Sequence, residues 1–167
     1  MTKNVYDNAK VFGDAEVFGD ARVSGNARVS DDASVYGDAE VSGDAKVSDN
    51  AKVYGTARVS GNAWVYGTAR VSGNAWVYGN AWVSGEADIQ SSDDWFSFIY
   101  QGKTLTGYRS RNDLGYELNV NGMVINLEDL SDGAKTHIKE LISKFTPFSN
   151  PEKENLEKIV KDLQTQL

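Results

Sequence analysis

Valine recurs at every sixth position through the first half of the chain. Alanine stands four places after each of these valines, and glycine stands two places after, except where Asp7, Asp31 and Asp49 replace it. The unit is thus valine, serine or an aromatic residue, glycine, a polar residue, alanine and one variable residue. The valines are Val5, Val11, Val17, Val23, Val29, Val35, Val41, Val47, Val53, Val59, Val65, Val71, Val77 and Val83, and Ile89 continues the series.

This period favours short strands over a helix. Apolar residues six apart advance by about 600° around an α-helix and therefore leave any single face of it. Valine favours a strand, whereas glycine followed by asparagine, aspartate or threonine favours a tight corner. Strands this short satisfy their backbone groups only when each coil bonds to the coils above and below, at a spacing of about 4.8 Å. The pattern predicts a parallel β-helix with the valines inside.

Residues 5–89 resemble the hexapeptide-repeat family of left-handed parallel β-helices, in which a small residue follows an aliphatic one four places later. The resemblance implies three hexapeptides per triangular coil and about five coils. The left hand is also implied by the resemblance, since crossovers between parallel strands are otherwise usually right-handed. A closer likeness is to the Ala-x-Val-x-Gly-Asn/Asp repeat proteins common in bacteria and their phages.

Enzymes of this family, such as acyltransferases and γ-class carbonic anhydrases, place catalytic or metal-binding histidines on the β-helix, usually between subunits. This chain has one histidine, His137, which lies outside the repeats. The long loop that covers the substrate in the acyltransferases is also missing. We therefore expect no catalytic residue, no metal and no cofactor. The alternative is an acyltransferase of the hexapeptide-repeat type with an inter-subunit site.

Outward aromatic side chains are concentrated on the predicted coils. On one of the three faces, the basic column Lys10, Arg28 and Lys46 gives way to Trp64 and Trp82. Contiguous apolar surface usually marks an interface, here with another subunit, with the C-terminal segment of this chain or with a foreign partner. The candidate partner- or subunit-binding residues are Trp64, Tyr66, Trp76, Tyr78, Trp82, Phe18, Tyr36 and Tyr54.

The period stops after Ile89, which divides the chain into a hexapeptide-repeat β-helix, residues 1–90, and a C-terminal cap, residues 91–167. β-Hairpins are predicted over residues 95–127, because apolar strands flank the turn dipeptides Gln101-Gly102 and Asn121-Gly122. The predicted strands are Trp95–Tyr100, Thr104–Arg109, Tyr116–Val120 and Met123–Leu127.

Two amphipathic helices are predicted after the hairpins, at about residues 132–145 and 151–166, the second with Pro151 at its first position. Covering the open end of the β-helix is the expected role of this C-terminal segment, and assembly of subunits is the alternative. Arg109 and Arg111 alternate along a predicted strand and are candidate anion-binding residues. Ordinary surface charge is the other interpretation of this pair.

Charge and composition exclude several function classes. The chain has 24 acidic against 17 basic residues and a net charge of −7, so nucleic-acid binding through a clustered positive surface is not supported. The absence of cysteine excludes disulfides and thiolate metal sites. No segment has the roughly 20 apolar residues of a membrane span, and the first residues do not resemble a signal peptide. We expect a cytoplasmic protein.

These observations favour a non-enzymatic oligomeric scaffold or binding module that acts through protein–protein interaction. The resemblance makes a homotrimer the first expectation. A phage or mobile-element protein that binds or blocks a host defence component is the finer hypothesis, because the chain is small and acidic and resembles phage repeat proteins.

Overall fold

The computed structural model describes residues 4–100, 103–111, 116–120, 122–126 and 132–133. Its first part is a coil of two-residue strands, each of which ends at the valine, or at the final isoleucine, of one repeat. The strands are β1 Lys10–Val11, β2 Glu16–Val17, β3 Arg22–Val23, β4 Arg28–Val29, β5 Ser34–Val35, β6 Glu40–Val41, β7 Lys46–Val47, β8 Lys52–Val53, β9 Arg58–Val59, β10 Trp64–Val65, β11 Arg70–Val71, β12 Trp76–Val77, β13 Trp82–Val83 and β14 Asp88–Ile89.

These strands form three parallel sheets, one on each face of the coil. The first face holds β3, β6, β9 and β12, together with an isolated bridge between Val5 and Val23. The second face holds β1, β4, β7, β10 and β13, and the third holds β2, β5, β8, β11 and β14. Residues 18 apart are in register, as Val11 and Val29 are. The predicted fold class is confirmed: the described chain is mainly β and forms a left-handed parallel β-helix, whose about four turns agree roughly with the about five coils predicted.

Valine and alanine fill the inside of the coil. From Ala21 to Ile89 every alanine and valine of the repeat is fully buried, with an exposure of 0 %. In the first coil the corresponding side chains, such as Val11 and Val17, are only partly buried. Because burial of a valine stabilises a fold by about 1.5–3 kcal/mol, the inner coils contribute most of the apolar stabilisation.

The corners between strands need positive φ. At Gly37 φ is 74°, and a Cβ there would lie 3.1 Å from the backbone nitrogen of Gly55 in the next coil. Asp49 adopts the same conformation with a φ of 56°. Its carboxylate accepts the backbone N–H of Gly67 at 2.9 Å, which offsets the cost of a non-glycine residue there. The other two corner aspartates of the repeat accept a backbone N–H in the same way.

A four-stranded antiparallel sheet follows the coil, in the order β15 Trp95–Tyr100, β16 Lys103–Arg109, β17 Tyr116–Val120 and β18 Met123–Asn126. Each strand begins and ends within one residue of its predicted bounds. A 3₁₀ turn at Ser92–Asp94 connects the coil to this sheet, and the Asp94 carboxylate accepts the backbone N–H of Ser91 at 2.9 Å. The division of the chain into two domains stays a prediction.

The sheet lies against the last coil. Ala87 of the coil forms an antiparallel bridge with Ser110, and the backbone N–H of Trp82 donates to the hydroxyl of Thr106 at 3.0 Å. Tyr108 is fully buried between the two. Of the two predicted C-terminal helices, only residues 132–133 are described, and they are helical. The rest of both helices and His137 lie outside the described residues.

No helix in the described part of the chain is long and apolar enough to cross a membrane.

Candidate binding surface

Two candidate aromatics of the second face contact the chain's own C-terminal sheet. The Tyr66 hydroxyl donates to the carbonyl of Gly122 at 3.0 Å and accepts from Nδ2 of Asn119 at 2.8 Å. The ring of Trp82 packs beside Gly122, where a Cβ would lie only 2.6 Å from it. Contact with the chain's own C-terminal segment was one of the three interpretations open for these residues.

On the first face, Tyr78 also contacts the sheet. Its ring lies 5.3 Å from the ring of Trp95 at an angle of 84°, and the Trp95 indole N–H donates to the carbonyl of Trp76 at 3.0 Å. The side chain of Trp76 instead lies along the coil, where its indole N–H donates to Ser60 at 2.9 Å. Trp76 remains 48 % exposed and therefore belongs to the surface that the sheet does not cover.

The third face carries an aromatic ladder formed by Phe18, Tyr36 and Tyr54. Successive ring centroids are 5.0 Å apart, and the rings are within 4° of parallel, because their strands are in register. Burial raises the pKa of Tyr36, and the neighbouring Tyr54 raises it further. Phe18 is 48 % exposed. Among the described residues, no hydrogen bond or ring contact joins this ladder to the C-terminal sheet.

A groove with a volume of about 280 Å³ opens on the second face beside Trp64. It forms because serine occupies two successive rungs of an outward column that carries Phe12 and Tyr66 at the neighbouring positions. The short serine side chains leave the space that an aromatic ring fills elsewhere in the column. We call this the second-face groove; it is lined by Phe12, Arg28, Ser30, Asp31, Lys46, Ser48, Asp49 and Trp64.

Positive charge lines one side of the second-face groove. Arg28 and Lys46 are in register on neighbouring strands, and the Lys46 ammonium lies 5.2 Å from the ring centroid of Trp64. The Trp64 indole N–H donates to the hydroxyl of Ser48 at 3.1 Å, which fixes the ring at one end. The ion pairs of the described residues involve Arg58, Arg109 and Arg111 as their cations, so neither groove cation belongs to one.

A buried polar network joins the sheet to the coil. The Tyr108 hydroxyl lies 3.2 Å from the hydroxyl of Ser84, which also accepts from Nδ2 of Asn119 at 2.9 Å. Burial raises the pKa of Tyr108 to about 12, so its hydroxyl stays protonated at any physiological pH. This network ties β16 and β17 to the last coil.

Glu117 is a buried carboxyl beside the same contact. The Ser110 hydroxyl donates to its Oε1 at 3.1 Å, whereas its Oε2 has no hydrogen-bond partner in the part of the chain that the structure describes. Burial raises the pKa of Glu117, because the charged form loses its hydration.

Arg109 and Arg111 each contact a carboxylate of this chain. Nε of Arg109 lies 3.1 Å from Oδ1 of Asp94, and Nη2 of Arg111 lies 2.8 Å from Oε2 of Glu86. Arg111 also donates to the carbonyl of Thr68 at 2.8 Å and therefore links the end of β16 to two coils. Binding of an external anion by this pair stays a prediction.

Polar corner residues also bond to one another along the coil. Nδ2 of Asn26 donates to Asp44 at 3.0 Å, and Asn62 donates to Asn80 at 3.3 Å, so the polar corners form ladders along the coil. No group of three or more histidine, cysteine, aspartate or glutamate side chains in the described ranges is placed to hold a metal ion.

The sequence singled out Trp64 but not the groove beside it. Two signals were available: the paired serines, Ser30 and Ser48, between aromatics, and the basic column that runs beside them. The docking role of Arg111 had no local signal, because its partners Thr68 and Glu86 are 43 and 25 residues away in the chain.

Three segments of the chain, residues 21–37, 51–67 and 69–85, match the sequence model of a family described as the YdcK β-solenoid repeat. All three lie within the coil, and with its three parallel sheets they show that this is a repeat β-helix. No curated protein and no solved structure matches the chain.

Proposed function

We propose that this protein is a non-enzymatic scaffold that assembles with copies of itself through the aromatic ladder. The ladder is the observation that supports the proposal. Phe18, Tyr36 and Tyr54 form a flat, rigid and partly exposed surface on the part of the molecule that the C-terminal sheet leaves open. Aromatic side chains presented in this way dominate many protein interfaces, because they bury large areas at a small cost in side-chain entropy.

Charges beside the ladder favour one arrangement of two copies. Glu16 flanks the Phe18 rung, and Lys52 flanks the Tyr54 rung two coils away. When two copies face each other with their coil axes antiparallel, Phe18 lies opposite Tyr54 and Glu16 lies opposite Lys52. Such an interface is self-complementary, as two-fold symmetry requires. The homotrimer expected from the resemblance is the alternative assembly.

Light scattering of the purified protein tests the assembly. We expect a mass of about twice the 18.3 kDa of the chain, and a return to the single-chain mass in the Tyr36→Ser variant. Tyr6→Ser is the matched control, because Tyr6 is also a tyrosine one place after a repeat valine but lies outside the ladder. A single-chain mass for the wild type at all concentrations would contradict the proposal, and a triple mass would replace the dimer by the trimer.

The finer proposal is that the scaffold belongs to a phage or mobile element and binds or blocks a host defence component in the cytoplasm. Its support is the resemblance of the repeats to phage proteins, together with the exposed Trp76. Recovery of one host protein with the wild type, but not with a Trp76→Ser variant, would support it. Turnover of an acyl-CoA by the purified protein would instead favour the acyltransferase alternative.

A further inference from the structure

A row of three cations runs along the second face. Lys10, Arg28 and Lys46 occupy successive rungs in register, at the rung spacing of about 4.8 Å. Like charges directly opposite each other on neighbouring strands destabilise a sheet. The ion pairs of the described chain include none of the three. The three cations therefore lie outside the ion pairs of the described residues, and their row is complementary to an anionic ligand.

The opposite side of the second-face groove presents hydrogen-bond acceptors. Oδ2 of Asp49 accepts the backbone N–H of Gly67, and Oδ2 of Asp31 accepts the backbone N–H of Asp49 at 3.3 Å and the hydroxyl of Ser30 at 2.9 Å. Within the described residues, no hydrogen bond uses the Oδ1 atom of either aspartate. A ligand in the groove therefore meets cations on one side and free carboxylate oxygens on the other.

Aromatic rings close the two ends of the groove. Phe12 is 51 % exposed at the end near the first coil. Trp64 stands at the other end, held by its bond to Ser48 and by the rings of Tyr66 and Trp82, whose centroids lie 4.9 and 5.2 Å from its own. A site whose walls are already fixed loses little entropy when a ligand binds.

We propose that the second-face groove binds an acidic oligosaccharide, a chain of sugars that carry carboxylate groups. The sugar carboxylates contact Arg28 and Lys46, the hydroxyl groups donate to the aspartates, and the apolar faces of the rings pack on Phe12 and Trp64. This site lies on a different face from the aromatic ladder, so the proposal does not depend on self-association.

The aspartates favour a sugar over an acidic peptide. An extended peptide presents carbonyl and N–H groups alternately to each side, so some of its carbonyl oxygens would face the carboxylates of Asp31 and Asp49. A hydroxyl group carries a rotatable proton and can always donate to such an acceptor. A sugar that carries both carboxylate and hydroxyl groups therefore matches both sides of the groove, whereas a peptide matches one.

Calorimetric titration of the full chain with a galacturonate trimer tests the proposal, with the methyl ester of the same trimer as the uncharged control. We expect the acid to bind and the ester to bind at least about tenfold more weakly, since charge-assisted bonds to Arg28 and Lys46 are lost. Added salt weakens binding of the acid, because the groove is open to solvent.

Substitution of the two cations tests the location of the site. Arg28→Gln with Lys46→Gln is expected to reduce affinity for the acid at least about tenfold. Arg22→Gln with Arg70→Gln removes the same charge from the other two faces and should leave affinity unchanged. Circular dichroism establishes that both variants keep the β-helix.

Four results would overturn the proposal. They are no binding of the acid trimer at millimolar concentration, equal binding of its ester, unchanged affinity in the Arg28 and Lys46 variant, and tighter binding of a hexaglutamate peptide than of the trimer. Each of them leaves the oligomeric mass, and hence the scaffold proposal, unaffected.

Discussion

At the scale of single residues, burial determines how the Glu117 carboxyl titrates. The residue is 9 % exposed, its Oε2 has no hydrogen-bond partner among the described residues, and burial raises its pKa. Nearby Glu86 raises the pKa further, whereas the Ser110 hydroxyl, the Glu86 backbone and Arg111 lower it. Because the folded pKa lies above the unfolded one, the charged form destabilises the fold at neutral pH.

We therefore expect Glu117→Gln to raise the free energy of unfolding at pH 7. The wild type regains stability as the pH falls through the raised pKa toward the ordinary value of 4.5, so the difference between the two proteins should shrink over that window. Urea unfolding at a series of pH values measures this. A gap that widens toward acid pH would show that the Glu117 pKa is lowered instead. Ser97→Ala, which changes a polar side chain on β15 of the same sheet, serves as a pH-independent control.

The burial of single residues in the coil was predictable, because equivalent residues of successive repeats have the same environment. Val53 and Ala57 are buried for the same reason as every other valine and alanine of the period, and the period is visible in the sequence. The corner aspartates were visible too, since Asp31 and Asp49 stand where glycine is the rule. Glu117 gave no such signal, because its burial depends on the coil against which β17 packs.

At the scale of elements, Arg111 connects the C-terminal sheet to the coil. It donates to the carbonyl and the hydroxyl of Thr68 and pairs with Glu86 on the next coil. Its backbone N–H also donates to the carbonyl of Glu86 at 2.9 Å. The side chain therefore bridges two coils, whereas the Ala87–Ser110 bridge joins the sheet to the last coil alone.

We expect Arg111→Ala to weaken docking of the sheet by about 1.5–3 kcal/mol, the range for hydrogen bonds to charged groups. Hydrogen exchange of β16 and β17 should quicken, while exchange within the inner coils stays unchanged. Arg109→Ala is the control, because Arg109 pairs with Asp94 of the connecting turn, whereas Arg111 contacts the coil. Equal protection of the sheet in wild type and Arg111→Ala would contradict this role.

Elements were predictable where the signal is local. The strands β15 to β18 have alternating apolar residues and turn dipeptides between them, so their bounds could be read within one residue. The sequence did not indicate which face of the coil the sheet would contact. That choice rests on pairs such as Tyr66 with Asn119 and Tyr66 with Gly122, which are 53 and 56 residues apart.

At the scale of the whole molecule, stability is distributed unevenly along the coil. Val53 is fully buried between coils on both sides, whereas Val11 lies in the first coil and is partly buried. In a stacked repeat protein each coil is stabilised mainly by its neighbours. A core substitution in the first coil should therefore lower the free energy of unfolding less than the same substitution in an inner coil.

We expect Val53→Ala to lower the free energy of unfolding by about 2 kcal/mol, through lost burial and a small cavity. Val11→Ala should lower the free energy of unfolding clearly less than Val53→Ala. Equilibrium denaturation followed by circular dichroism compares the two. Equal losses would show that the first coil is as closely packed as the inner ones.

The in-register stack also makes the molecule extensible in whole turns. Val29 lies over Val11 and Val47 over Val29, so adding or removing 18 residues would preserve every side of the prism. A change of six residues would instead rotate all later side chains onto the next side, separating Trp64 from the serines beneath it. Relatives that differ in length by complete turns can thus present the same rows of side chains over a longer or shorter span, in steps of about 4.8 Å.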